Sequence, residues 1–434
     1  MRGWLAGLGL IVALNLIAVG YWHYDDGLHT SFENLDTRVI LQRLQQPHSI
    51  GAWFVGDWVL GNGFYRPLPS VLYQVDYWFW GANLLAWKWT NGLLATLNAL
   101  LVVEFGWALS GRRALALLAG GVFTYWQTGL LPEPPLWLGW AGLTAGVLWG
   151  WRTGDWRRGA LWGCIAYTLV VELRFLLTLP DIHQQTFAYR AMGWIPARTA
   201  TLMTLFALLA LTGACVYART GQVRWAALGL LGFLGALLSY EQAVGLPILM
   251  GLCALSVSRQ RGAIPRAWLL PSLCLCLLIP YFAFYRTHIP TDTEYHQQRL
   301  KRFTTLPGTA LYWLIPTGRD AVMQLDVARI APFNWVMPAF WLAQLGLVAY
   351  LVALREGLRT RLGWVGWQGS LLAYAPLMPV LPLMHYYYFP AVLRALWAGI
   401  LLLCLLTLRP TRRATSVALV DAMCPRRSSP PSTS

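Results

Sequence analysis

The chain has 434 residues, of which 57% are hydrophobic and only 12% charged, and its mean hydropathy is +0.48. A soluble domain carries roughly 25% charged residues, so these values exclude one and indicate an all-α polytopic membrane protein. The net charge of +15 comes almost wholly from arginine, with Lys88 and Lys301 the only lysines; the arginines punctuate apolar runs, as cytoplasmic anchors do, rather than forming a nucleic-acid patch.

Residues 3–22 form the first apolar run, preceded by Arg2. A cleaved signal peptide with a site near Ala18-Val19-Gly20 competes with a retained anchor, and the length of the run favours the anchor. Arg2 then places the N-terminus in the cytoplasm and residues 23–83 in an outer loop. Within that loop, Asn34 to Gln46 repeat apolar positions (Leu35, Val39, Ile40, Leu41, Leu44) at the spacing of an interfacial helix. Pro67 to Gly81 is apolar and aromatic but contains Asp76 and is broken at its start by Pro67 and Pro69, which predicts a short interfacial or re-entrant segment.

Further spans are predicted at 84–109, 114–130, 135–151, 160–179, 199–218, 225–241, 243–258, 267–285, 333–353, 363–383 and 387–408, giving about 12 transmembrane helices of roughly 20 residues. Alternation sends every arginine cluster (Arg112 and Arg113; Arg152, Arg157 and Arg158; Arg219 and Arg224; Arg259, Arg261 and Arg266; Arg355, Arg359 and Arg361; Arg409, Arg412 and Arg413) to one side. Both termini fall on that side, in an inner (plasma) membrane. Residues 286–332 form a large outer loop with interfacial helices, and residues 1–413 form one transmembrane domain. The tail, 414–434, has a disorder-like composition. The seven cysteines lie in apolar spans or in this tail, so no disulfide framework is implied.

Charged groups inside spans are functional candidates, because hydrocarbon disfavours them by a few kcal/mol. Glu104 lies near the cytoplasmic end of its span and can snorkel. Glu172 and Arg174 stand two apart, on different helical faces, so each needs its own partner. Arg394 lies inside the last span, and Glu241 sits at the outer junction of two spans. Asp25 and Asp26 stand immediately outside the first span, which suits either a solvated helix end or an acid–base site. His23 and His29 flank them and allow a divalent cation, so the cofactor stays open; no metal-ligand set is assigned. No phosphate-binding Gly-rich loop, His-Glu-x-x-His or Gly-x-Ser-x-Gly occurs.

Phe64-Tyr65-Arg66-Pro67-Leu68, continuing through Ser70-Val71-Leu72 to Asp76-Tyr77, then Gly81-Ala82-Asn83 and Thr90-Asn91-Gly92-Leu93-Leu94-Ala95-Thr96-Leu97-Asn98, resembles a block of the multi-spanning C-superfamily (GT-C) glycosyltransferases. It looks most like the membrane part of tetratricopeptide-linked O-mannosyltransferases and their bacterial relatives. Leu237-Leu238-Ser239-Tyr240-Glu241-Gln242 and His385-Tyr386 before Phe389-Pro390 resemble two later blocks, in the same order. The chain departs from the pattern in having no tetratricopeptide repeats, Tyr240 where Lys is usual and His385 where Arg is common.

The resemblance implies transfer of a sugar, in the mannosyltransferase manner, from a polyprenyl-phosphate donor to a protein, lipid or glycan acceptor on the outer face, with inversion. It implies a first-loop carboxylate, Asp25 or Asp26, as general base. Arg66, Arg174, Arg190, Arg198 and His385 are the candidates for the donor phosphate, with Glu241 and Tyr386 beside them at the substrate. Most of the 25 Trp and 19 Tyr belong to the interfacial belt, and a few can stack on sugars. A transporter or flippase of lipid-linked intermediates, and an inactive membrane scaffold, are the alternatives. The lack of a half-to-half repeat argues against the transporter.

Overall fold

A computed structural model describes residues 2–24, 30–46, 49–178, 185–258, 264–289, 357–378 and 383–407. Asp25, Asp26 and His29, nearly all of the large outer loop, the span expected at 333–353 and the tail lie outside them. Among the described residues the regular structure is entirely helical. The longer helices are α1 (Arg2–Tyr24), α2 (Thr30–Leu44), α3 (Pro67–Trp80), α4 (Leu84–Ser110), α5 (Arg113–Thr128), α6 (Leu136–Thr153) and α7 (Trp156–Thr178). They continue as α8 (Arg198–Thr220), α9 (Val223–Leu237), α10 (Leu246–Val257), α11 (Ile264–His288), α12 (Gly357–Tyr374) and α13 (Tyr388–Thr407).

The chain is a helical multi-pass membrane protein. Among the described residues, six helical segments are long and apolar enough to cross a bilayer: Gly3–Trp22, Leu84–Ser110, Trp156–Leu177, Ile195–Thr220, Ile264–His288 and Met384–Thr407. The spans expected at 225–241 and 243–258 are shorter than their apolar runs. Helix α9 stops at Leu237, and a 3₁₀ turn over Glu241–Gly245 precedes the 12-residue α10. At 1.5 Å per residue α10 is only about 18 Å long.

The prolines at the start of α3 do not break it. Pro67 and Pro69 sit in the first turn, where their missing N–H groups would have had no helical partner. In α2 the expected apolar stripe divides: Ile40 and Leu44 are buried, while Leu35 and Val39 face outward.

The bundle has two chemically different ends. At one, the Arg113 guanidinium lies 5.7 Å from the ring centres of both Trp4 and Trp107, and Arg219 donates to the Leu109 carbonyl at 2.8 Å. Gly111, with φ +68°, supplies the left-handed residue that lets α4 end there. At the other end, Trp22 donates to the Thr128 carbonyl, Leu68 N to the Leu238 carbonyl and the Tyr285 hydroxyl to the Gly63 carbonyl. Trp4 and Trp22 belong to the same helix and are separated by about 27 Å of helical rise.

Between the ends, several buried polar side chains bond to one another or to backbone carbonyls, which suits an interior without water. Gln127 donates to Asn15 Oδ1 at 2.5 Å and to the Ala95 carbonyl at 3.1 Å, and accepts from the Tyr388 hydroxyl at 2.7 Å. Asn98 donates to the Thr201 carbonyl at 2.9 Å. These bonds tie α1, α4, α5, α8 and α13 together. Helices α6 and α7 approach through glycines: a Cβ on Gly146 would lie 2.5 Å from the Gly159 oxygen, a closeness that only small residues permit.

Candidate functional site

The end of the bundle opposite the arginine-bearing turns at 112–113 and 219 encloses a cavity of about 170 Å³, lined by Asp36, Trp58, Leu60, Asn62, Phe64, Arg66, Gln185, Arg190, Trp194, Pro196, Thr199, Tyr240, Leu383, His385 and Tyr386. The lining comes from the first expected outer loop, the turns before α8 and after α9, and the turn before α13. Arg66, Arg190, His385 and Tyr386, four of the candidates read from the sequence, therefore meet although they are scattered along the chain.

Arg66 is the N-cap of α3, and local bonds fix its backbone. The Ser70 hydroxyl donates to the Arg66 carbonyl at 3.0 Å and accepts from Val59 N at 3.1 Å. The preceding loop is wound around Asp57. Its Oδ1 accepts from Trp58 N at 2.8 Å and Phe64 N at 2.9 Å, and its Oδ2 accepts from Gly63 N at 2.7 Å.

That winding sets Trp58 and Phe64 beside Arg66. The guanidinium carbon lies 4.5 Å from the Trp58 ring centre, 4.2 Å from Phe64 and 4.4 Å from Tyr240, within cation–π range. Its Nε donates to both Glu241 oxygens, at 3.1 and 3.2 Å, and its Nη2 to Oε2 at 2.9 Å. Burial acts to lower the Arg66 pKa and is the largest single influence, but Glu241, Tyr240 and Tyr386 together outweigh it, so the guanidinium is held above its ordinary range and stays protonated.

The facing wall comes from a five-residue π-helical turn, Tyr189–Gly193, closed by the Trp194 N–H on the Tyr189 carbonyl at 2.9 Å. Such turns are rare and recur at functional sites. The Arg190 guanidinium lies 4.1 Å from the Trp194 ring centre, and the His385 imidazole 4.9 Å from the same ring. Gln242 anchors the third wall, donating to the carbonyls of Ala373 and Tyr386 at 2.9 and 3.0 Å.

Arg198 and Arg174 lie outside this lining. Arg198 is wholly buried, with Nη1 2.7 Å from Asp76 Oδ2, Nε donating to Asn91 Oδ1 at 2.9 Å and Nη2 to the Trp87 carbonyl at 2.9 Å. Two nitrogens thus donate to protein oxygens, and the third stands in ion-pair contact with Asp76. Asn91 also donates from Nδ2 to the Trp194 carbonyl at 3.1 Å, and Tyr73 donates to that of Ile195 at 3.0 Å. The cluster therefore supports the wall that carries Trp194. Arg174 pairs with Glu133 at 3.2 Å and donates to the Pro134 carbonyl at 2.7 Å.

The sequence singled out neither Trp58, Asn62, Gln185 and Trp194 nor the carboxylate of Asp36 as site residues. Asp36 had one signal, an acidic residue on an amphipathic helix of the first outer loop; the others had none. Among the described residues no cluster of His, Cys, Asp and Glu suits a metal ion.

Chemically, the cavity offers guanidinium and imidazole groups for an oxyanion, aromatic faces for a sugar or isoprenoid, and a carboxylate on its wall. Neither a protein-family model nor a curated protein sequence matches the chain.

Proposed function

We propose that the protein is a membrane glycosyltransferase that moves a sugar from a polyprenyl-phosphate carrier to an acceptor at the outer surface. The observation that carries this reading is the convergence of Arg66, Arg190 and His385 with Trp58, Trp194, Tyr240 and Tyr386 around one cavity at the end of the bundle opposite the arginine-bearing turns. A lipid-linked sugar cannot leave the bilayer, so its reacting carbon must be met at the surface by groups held on helix ends.

In this reading twelve spans place both termini in the cytoplasm of a cell whose plasma membrane holds the protein. The cavity then faces outward, because the arginine-bearing turns occupy the opposite end. Cationic groups stabilise the departing phosphate, while Asp25 or Asp26 takes the acceptor proton from the opposite side of the sugar, giving inversion. The ordered sequence blocks shared with GT-C enzymes agree with this assignment.

The test is transfer of labelled mannose from a short-chain polyprenyl-phosphate mannose by the purified protein, beside Asp25→Asn and Asp26→Asn. Loss of about 10²-fold or more in one variant, with unchanged donor binding, supports the reading. A parent protein that binds the donor and transfers nothing would instead be a transporter or a scaffold.

A further inference from the structure

Helix α4 carries a carboxylate on its outward face. Leu93, Leu97, Glu104 and Trp107 recur at the period of one helix face, and Leu93, Leu97 and Trp107 are 55%, 48% and 38% exposed. Ala99, Val102, Val103 and Phe105, on the other sides of the helix, are buried. Glu104 itself is half-buried and lies about 9 Å of helical rise before Ser110, the last residue of the span.

The geometry of the helix disfavours snorkelling to the nearer, arginine-bearing end. A helical Cα–Cβ bond tilts toward the helix N-terminus, which in α4 is the cavity end, so the carboxylate is directed deeper into the hydrocarbon. Among the described residues nothing pairs with it. The buried carboxylates differ: Asp76, Glu172 and Glu241 each meet a guanidinium, at 2.7, 2.7 and 2.9 Å.

The apolar spans read from the sequence hold no spare cation for Glu104. Their only lysine or arginine residues are Lys88, Arg174 and Arg394. Arg174 is committed to Glu133 and Arg394 to Glu172, and Lys88 lies at the opposite end of α4. A second copy of the chain offers the same set.

We propose that this face of α4 is a lateral docking surface for one transmembrane helix of another membrane protein, which presents a lysine or arginine to the Glu104 carboxylate. A lone charge in hydrocarbon is disfavoured by a few kcal/mol, and a cation on the neighbouring helix removes most of that penalty. Lipid supplies no hydrophobic drive between helices, so a polar contact of this kind selects the partner while the leucines pack against it. The inference is independent of the cavity and of sugar transfer.

The first probe is a fluorescent transmembrane peptide of about 21 leucines and alanines with one lysine two turns from its end, added to the full-length protein in lipid nanodiscs. The parent should bind it about tenfold more tightly than the same peptide with leucine in place of lysine. Glu104→Leu should abolish that preference and keep the parent's thermal stability, because the carboxylate has no partner in the protein's own fold. In native membranes, a photocrosslinker at Leu97 should capture a polypeptide through a segment with lysine or arginine inside an apolar run. Glu104→Leu should lose that capture, and Glu104→Lys combined with glutamate at the partner's basic position should restore it.

Equal affinity for the two peptides, no capture at Leu97, or capture unchanged by Glu104→Leu overturns the inference. So does a crosslink to a second copy or to another part of the same chain, which would assign the face to a dimer or to the protein's own fold. A loss of stability in Glu104→Leu would likewise give the carboxylate an internal role.

Discussion

Arg394 in the last helix and Glu172 in α7, 222 positions apart, form a bidentate ion pair with neither side chain exposed: Nη2 lies 2.7 Å from Oε2 and 2.9 Å from Oε1, and Nε 3.0 Å from Oε2. Arg394 also covers the Phe175 ring at 4.1 Å. Removing one partner strands a charge in the apolar interior. Glu172→Leu should therefore cost roughly 3–5 kcal/mol, whereas Glu172→Leu combined with Arg394→Met should return most of that stability. Thermal unfolding in detergent checks this, and a double variant no more stable than the single one contradicts it.

The Asp57 carboxylate accepts the backbone N–H groups of Trp58, Gly63 and Phe64. Asp57→Ala leaves those donors without a side-chain acceptor and should cost about 1–3 kcal/mol locally. Amide hydrogen exchange should speed up at Gly63 and Phe64 without a change in α8. Uniform exchange rates in parent and variant would remove Asp57 from its part in shaping the cavity wall.

Arg198 is expected to act through structure and not through a ligand. Arg198→Lys keeps the charge beside Asp76 but cannot also reach Asn91 and the Trp87 carbonyl. It should lower stability by about 1–3 kcal/mol, and Asn91→Leu should do the same because it also frees the Trp194 carbonyl. Binding of farnesyl phosphate should weaken in both only as far as Trp194 shifts. A large loss of phosphate affinity in Arg198→Lys at unchanged stability would put Arg198 at the ligand.

Sidedness is tested by thiol labelling in a cysteine-free background. Leu131 and Thr153 are both exposed, at opposite ends of α6 and the turn before it. A cysteine at Leu131 should react with an impermeant maleimide in intact cells and one at Thr153 should not. The reverse pattern would turn the cavity toward the cytoplasm.

Hydropathy made the helices legible because each apolar run is a local property, and the charged residues in or beside spans were visible for the same reason. Partners were not legible. Arg66 meets Glu241 across 175 positions and Arg394 meets Glu172 across 222, and nothing local in one sequence encodes such pairings. Glu172 and Arg174 were seen to need separate partners, which are Arg394 and Glu133. Trp194 escaped notice because one tryptophan among 25 carries no mark of its position, and its role depends on the π-helical turn that presents it beside Arg190 and His385. Asp25 and Asp26 lie outside the described residues.

The central claim is that the cavity holds a phosphate-linked isoprenoid, and native mass spectrometry of the protein purified from its own membrane tests it most directly. The expected result is a bound mass matching an isoprenoid phosphate, with or without a sugar, that is greatly reduced in Arg190→Ala and in His385→Ala, whose side chains line the cavity. Absence of any such mass from the parent, or equal occupancy in parent and both variants, would contradict the account.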